Sequence, residues 1–95
     1  MFIVLLKFSN NKDRASEFME GHKAWIQSGF EAGVFLLVGS MKPMAGGGVL
    51  AHNILLKELQ VLVAEDPFVV EDVVTPEIIE ISPARADERL KFLTD

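Results

Sequence analysis

A chain of 95 residues with no cysteine excludes disulfide staples, thiolate chemistry and every cysteine-ligated zinc or iron–sulfur centre. Its apolar fraction of 49% and mean hydropathy of +0.29 are too high for disorder, yet no run approaches the ~18 apolar residues of a spanning helix. The formal charge of −5 argues against nucleic acid and against anionic membranes, both of which attract basic surfaces.

The first segment, Phe2-Ile3-Val4-Leu5-Leu6 followed by Lys7 and Phe8, is rich in β-branched and aromatic residues, which favours a strand inside a sheet. It is too short for the ~7–15-residue core of a signal peptide, and a cytoplasmic protein is expected. Ser9-Asn10-Asn11 offers N-cap side chains for a helix. From Lys12 to Ala32, the residues Ala15, Phe18, Met19, Ile26 and Phe30 recur at helical spacing with Trp25 beside them, and Gly33 is a helix stop. Val34 to Met41 is a second strand. Residues 42–48 (KPMAGGG) are expected to be a turn, because proline and consecutive glycines disfavour a regular element. Val49 to His52 is a short third strand, antiparallel to the second. Asn53 is placed to cap a second helix from Ile54 to Glu65, with Leu55, Leu59, Leu62 and Val63 on one face. Asp66-Pro67 ends it, since proline disfavours helical geometry at the residue before it. A mixed stretch, Phe68 to Val74, leads to a fourth strand from Thr75 to Ser82.

This order, β-α-β-β-α-β, is the ferredoxin-like plan of an α+β fold. The domain is expected to span residues 1–83, with 84–95 as a charged tail packing on a dimer partner. Two helices can cover only one face of the sheet. The first strand is nevertheless apolar on both parities, whereas a half-covered sheet should have one polar parity. A chain this short is also marginal alone. Both points lead to a homodimer or higher homo-oligomer in which two sheets pack as a dimeric α+β barrel.

Two histidines 30 positions apart match no zinc-helix spacing, and neither a metal nor any other cofactor is expected. The glycines at 46–48 lack the Lys-Ser/Thr of a phosphate loop. His22 falls between Phe18 and Ile26 on the apolar stripe of the first helix, so it faces the sheet or a cleft at its edge. It is either a core-edge histidine satisfied by one partner or a general acid/base, whose neutral-range titration suits proton transfer. The second role needs a carboxylate, and Asp66 is the best candidate. Its own alternative is a plain Asp-Pro turn, and spacing alone does not decide whether the two residues meet. His52, at a strand–helix junction, has capping and loop bonding as its simplest roles. Phe68 is placed near a pocket mouth. Arg85 and Arg89 are expected to pair with carboxylates of the tail or of the partner.

The opening FIVLLKF strand, His22, Gly39 at the end of the second strand, the glycine-rich hairpin and Asp66-Pro67-Phe68 occur in the order seen in the YCII-related (YciI-like) family. The chain resembles that family up to about Pro83. The resemblance implies a ferredoxin-like protomer that dimerises as an α+β barrel, with an active site built from a histidine and an aspartate, matched here by His22 and Asp66. One branch of the family is associated with dehydrochlorination of chlorinated hydroxyquinols. Ser40 stands where many members have proline, which changes the pocket floor. The expected function is therefore a small cofactor-free enzyme of lyase, dehydrochlorinase or isomerase type. It would move a proton with His22 and Asp66 on a small cyclic organic molecule held near Gly39, Ser40 and Phe68. The alternatives are a dimeric module that binds or senses a small ligand without turning it over, and a structural subunit whose apolar surface serves assembly alone.

Overall fold

The alternation at the start of the chain sets up the sheet. In a computed structural model, which describes residues 1–94, strand β1 (Phe2–Phe8) buries Phe2, Val4 and Leu6 and leaves Ile3 and Leu5 only half-buried on the other face. It is central, pairing antiparallel with β3 (Gly46–Ala51) on one side and with β4 (Val74–Glu80) on the other. Strand β2 (Phe35–Met41) pairs antiparallel with β3, giving the order β2-β3-β1-β4. This is the ferredoxin-like sheet anticipated from the element order. Pro76 lies in β4, an edge strand, where a missing amide need not interrupt the ladder.

Helix α1 (Ala15–Glu31), preceded by a 3-10 turn at Lys12–Arg14, and α2 (Leu56–Ala64) close the Phe2 face. Leu59 and Val63 of α2 join Val4, Phe35, Val49 and Ala51 in one core. Each of the valine, leucine and phenylalanine side chains contributes about 1.5–3 kcal/mol on full burial. Trp25 ties the layers together. Its ring meets Phe35 edge-on at 5.0 Å, and its Nε1 donates to the Leu62 carbonyl at 2.8 Å. The two helical glycines are explained by close packing. A Cβ at Gly29 would lie 2.1 Å from the Phe35 ring, and one at Gly21 would lie 3.0 Å from Pro67 Cγ.

Neither α1 nor α2 covers the opposite face of the sheet. Leu37 is 59% exposed there, and Ile79 of β4 and Ile81 beyond it are 39% exposed. No helix among the described residues is long and apolar enough to cross a membrane.

Four local expectations are corrected. Residues 46–48 are strand, not turn: Gly46, Gly47 and Gly48 pair with Lys7, Leu6 and Leu5 on one side and with Met41, Ser40 and Gly39 on the other. Ladder bonds on both sides outweigh the poor strand preference of glycine. Gly46 could be nothing else, with φ at 128° and a Cβ position 2.0 Å from the Leu6 carbonyl oxygen. Asn53 does not cap α2. It adopts φ 56°, and Leu55 takes the cap position, its amide donating to Glu58 Oε1 at 3.1 Å. Ser9, Asn10 and Asn11 do not cap α1 either. Ser9 and Asn10 donate to the Asp72 carboxylate, and Asn11 to the Glu71 carbonyl, so they tether the exit of β1 to the entry of β4. Finally, the mixed stretch after Asp66 opens with a short helix, α3 (Pro67–Val70).

Beyond β4, Glu88–Thr94 forms a 3-10 helix whose Phe92 ring lies edge-on to His52 of the same chain, 5.5 Å between centroids.

Candidate functional site

Asp66 is positioned by its neighbour. Pro67 favours an extended backbone before it, and Asp66 adopts φ −62°, ψ 123° as the N-cap of α3, with proline at the first helical position. Its Oδ1 accepts the Phe68 amide at 3.0 Å, the usual N-cap bond. The carboxylate is fully buried. The same Oδ1 is 2.8 Å from His22 Nδ1. Gly21, the residue before His22, lets α1 lie against Pro67 at this point.

An oxygen that already accepts a backbone amide is best matched by a second donor, so the network assigns the Nδ1 proton to the bond with Asp66. This leaves Nε2 for the pocket. Phe68 lies flat on the imidazole, with centroids 3.9 Å apart and planes 1° from parallel. Thus α1 supplies His22, and α3 holds it by an ion-pair geometry and a stacked ring. Asp66 Oδ2 is buried with no hydrogen-bond partner among the described residues.

His22 and Phe68 form part of the wall of a pocket of about 310 Å³ between α1 and the sheet. The remaining wall is largely apolar, including Leu6, Met19, Ile26 and Val38. Of the other residues singled out in the sequence, Gly39 and Ser40 also line this pocket. Ser40 is opposite Gly47, which in turn is opposite Leu6, so Ser40 stands on the helix-covered face. Asp66 lies behind His22 and not on the wall. His52 is elsewhere, against Phe92. Arg89 Nε donates to Asp87 within the tail at 2.9 Å.

Three features of the site escaped the sequence. Lys23 lines the pocket beside His22, but a lysine on a helix reads as solvated surface. The glycines of β3 form a wall without side chains, hidden by the expectation of a turn. Asp66 starts a helix as well as following one, and here a signal existed, since Asp-Pro is also an N-cap followed by a favoured first helical residue. Among the described residues, no group of three or more histidine, aspartate or glutamate side chains is placed to hold a metal ion.

No family model and no curated protein sequence matches the chain. Among solved structures, its fold is similar to that of 5-chloro-2-hydroxyhydroquinone dehydrochlorinase (TftG) from Burkholderia phenoliruptrix AC1100, solved in complex with 2,5-dihydroxybenzoquinone. The likeness has a TM-score of 0.68 and covers 85% of this chain and 93% of that one, at 13% identity. At that identity the shared property is the fold, one on which a small-molecule enzyme is built.

Proposed function

We propose that this chain is a YciI-like enzyme that moves a proton on a small hydroxylated ring, with His22 as general acid/base and Asp66 as the residue that orients it. The observation that carries this reading is the 2.8 Å contact between His22 Nδ1 and the buried Asp66, with His22 on the wall of an apolar pocket. A fixed Nδ1–H···O bond presents Nε2 in one direction, and burial limits competition from water. Phe68 adds a rigid back to the imidazole.

For a chlorinated hydroxyquinol the balanced step is loss of HCl. Nε2 takes a proton from a ring hydroxyl and delivers it to the carbon that carries chlorine. Chloride then leaves with its bonding pair, while a second hydroxyl loses its proton and the ring becomes a hydroxyquinone. No oxidant is consumed. The fold likeness to a dehydrochlorinase supports placing this reaction first among eliminations and isomerisations on cyclic substrates.

The test is turnover on a panel of substituted hydroxyquinols and lactones, followed by chloride release and ring absorbance. Wild type should turn over at least one, and His22→Ala should be slower by about 10²–10⁴-fold. Binding without turnover across the panel sinks the enzyme reading in favour of a ligand-binding module. Equal rates for wild type and His22→Ala sink the assigned role of the histidine.

We also infer that the face of the sheet left uncovered by α1 and α2 packs against a second copy of the chain. Ile3, Leu5, Leu37, Leu50 and Ile79 make most of it apolar, with the Lys7–Glu77 ion pair among them, where a solvated face would be polar throughout. A two-fold pairing of the same face covers it in both copies. Sedimentation at micromolar concentration should give a dimer, and a stable monomer overturns the inference.

A further inference from the structure

The wall of the His22 pocket has a charge sign opposite to that of the chain. Acidic residues outnumber basic ones 14 to 9 over the sequence, yet no aspartate or glutamate lines this pocket. The wall contains Lys23, which is adjacent to His22 in α1 and exposed. Of the other lysines and arginines, Lys7 pairs with Glu77, Arg14 with Glu17 and Arg89 with Asp87, and Lys12, Lys42, Lys57, Arg85 and Lys91 line no part of this pocket. Lys23 has no carboxylate within ion-pair distance among the described residues. A lysine without an ion-pair partner among the residues that line a largely apolar pocket, with Ser40 on the sheet side, can offer its ammonium to a negative oxygen on an otherwise apolar ligand. Such pockets take their orientation from a few polar groups on a hydrophobic wall.

We propose that the pocket selects small rings that carry an anionic oxygen, and that Lys23 is the residue that reads the charge. The inference rests on the assignment of this pocket as the substrate site, and it adds the ionic form of the ligand. The ammonium would hold the anionic oxygen and leave the rest of the ring against the apolar wall, within reach of His22. In a chain of net charge −5, a local cation also favours the approach of an anion to this pocket over the rest of the surface.

Benzoate and benzamide are a suitable probe pair, alike in shape and different in charge. Trp25, the one tryptophan, has its ring centroid 6.0 Å from that of His22, and its fluorescence, read beside titration calorimetry, follows binding. Wild type should bind benzoate about fivefold more tightly than benzamide, the preference expected of one exposed charge pair. Lys23→Met should remove the preference without weakening benzamide, and Lys23→Arg should keep it. The preference should shrink as salt is raised. Equal affinity for the two probes in wild type, a preference that survives in Lys23→Met, or no saturable binding of either probe each overturns the proposal. His22→Ala separates it from the catalytic reading: a variant that still prefers benzoate while turning nothing over supports both, whereas full turnover with the preference intact removes only the role of the histidine.

Discussion

The chain has two histidines, and both are half-buried. His22 is held on one nitrogen by a fully buried carboxylate and on one face by a parallel phenyl ring. His52 follows the last residue of β3, where its backbone amide donates to the Val34 carbonyl, and its ring lies steeply inclined to Phe92 of an exposed tail, with no side-chain hydrogen bond among the described residues. Burial is therefore a poor guide to what a histidine can do. The difference lies in whether a second element, itself locked in place, fixes the tautomer and the direction of the ring. At His22 that element is α3, and the lock is an Asp-Pro pair that serves the backbone and the imidazole with the same oxygen.

The strongest way to break this contrast is at Asp66. Asp66→Ala strands the Phe68 amide and His22 Nδ1, and it should lower unfolding free energy by about 1–3 kcal/mol in urea titrations as well as suppressing turnover. Asp66→Asn keeps a good N-cap and should retain most of the stability, but it removes the charge that stabilises a protonated imidazole. Its turnover should fall by about 10²-fold or more, whereas His52→Ala should match wild type. An Asp66→Asn protein with wild-type rates would show that the carboxylate is only a cap.

A second substitution sharpens what surrounds His22 and not His52. Gly47 shares the helix-covered face with Leu6 and Ser40, and the nearest atom to a Cβ there is the Gly39 carbonyl oxygen at 3.5 Å. Gly47→Val therefore fits the strand and projects methyl groups into the pocket. Ligand affinity should drop by about tenfold, with the thermal midpoint unchanged or raised because valine is the better strand former. A falling midpoint would mean that the bare strand serves packing and not the ligand.

The smallest effect is expected on the other histidine. Phe92→Ala removes an edge-on ring contact that is largely exposed, so the loss should be no more than about 0.5–1 kcal/mol, with turnover untouched. A loss of ligand affinity comparable to that of Gly47→Val would couple the tail to the pocket and dissolve the distinction between the two regions.

How far the site was legible follows from the range of each interaction. His22 announced itself by its place between Phe18 and Ile26, because helical periodicity is local. Asp66 stands out for its place before Pro67, where α2 does end, but its capping of the next helix, α3, is not read from that pair alone. The glycine strand was misread because composition describes what a segment prefers alone, and Gly46–Gly48 are held by neighbours on both sides. Lys23 was overlooked because a cavity is a property of several elements together.

By itself, the order of apolar runs and breaks determined the ferredoxin-like protomer and the apolar character of both faces of β1, since both follow from periodicities of two and 3.6 along the chain. Only the tertiary structure decided that residues 44 positions apart meet at 2.8 Å, and that the wall before them is glycine. Those outcomes depend on the offset between α1 and α3 and on strand register, which are set by packing against distant residues such as Gly21 against Pro67.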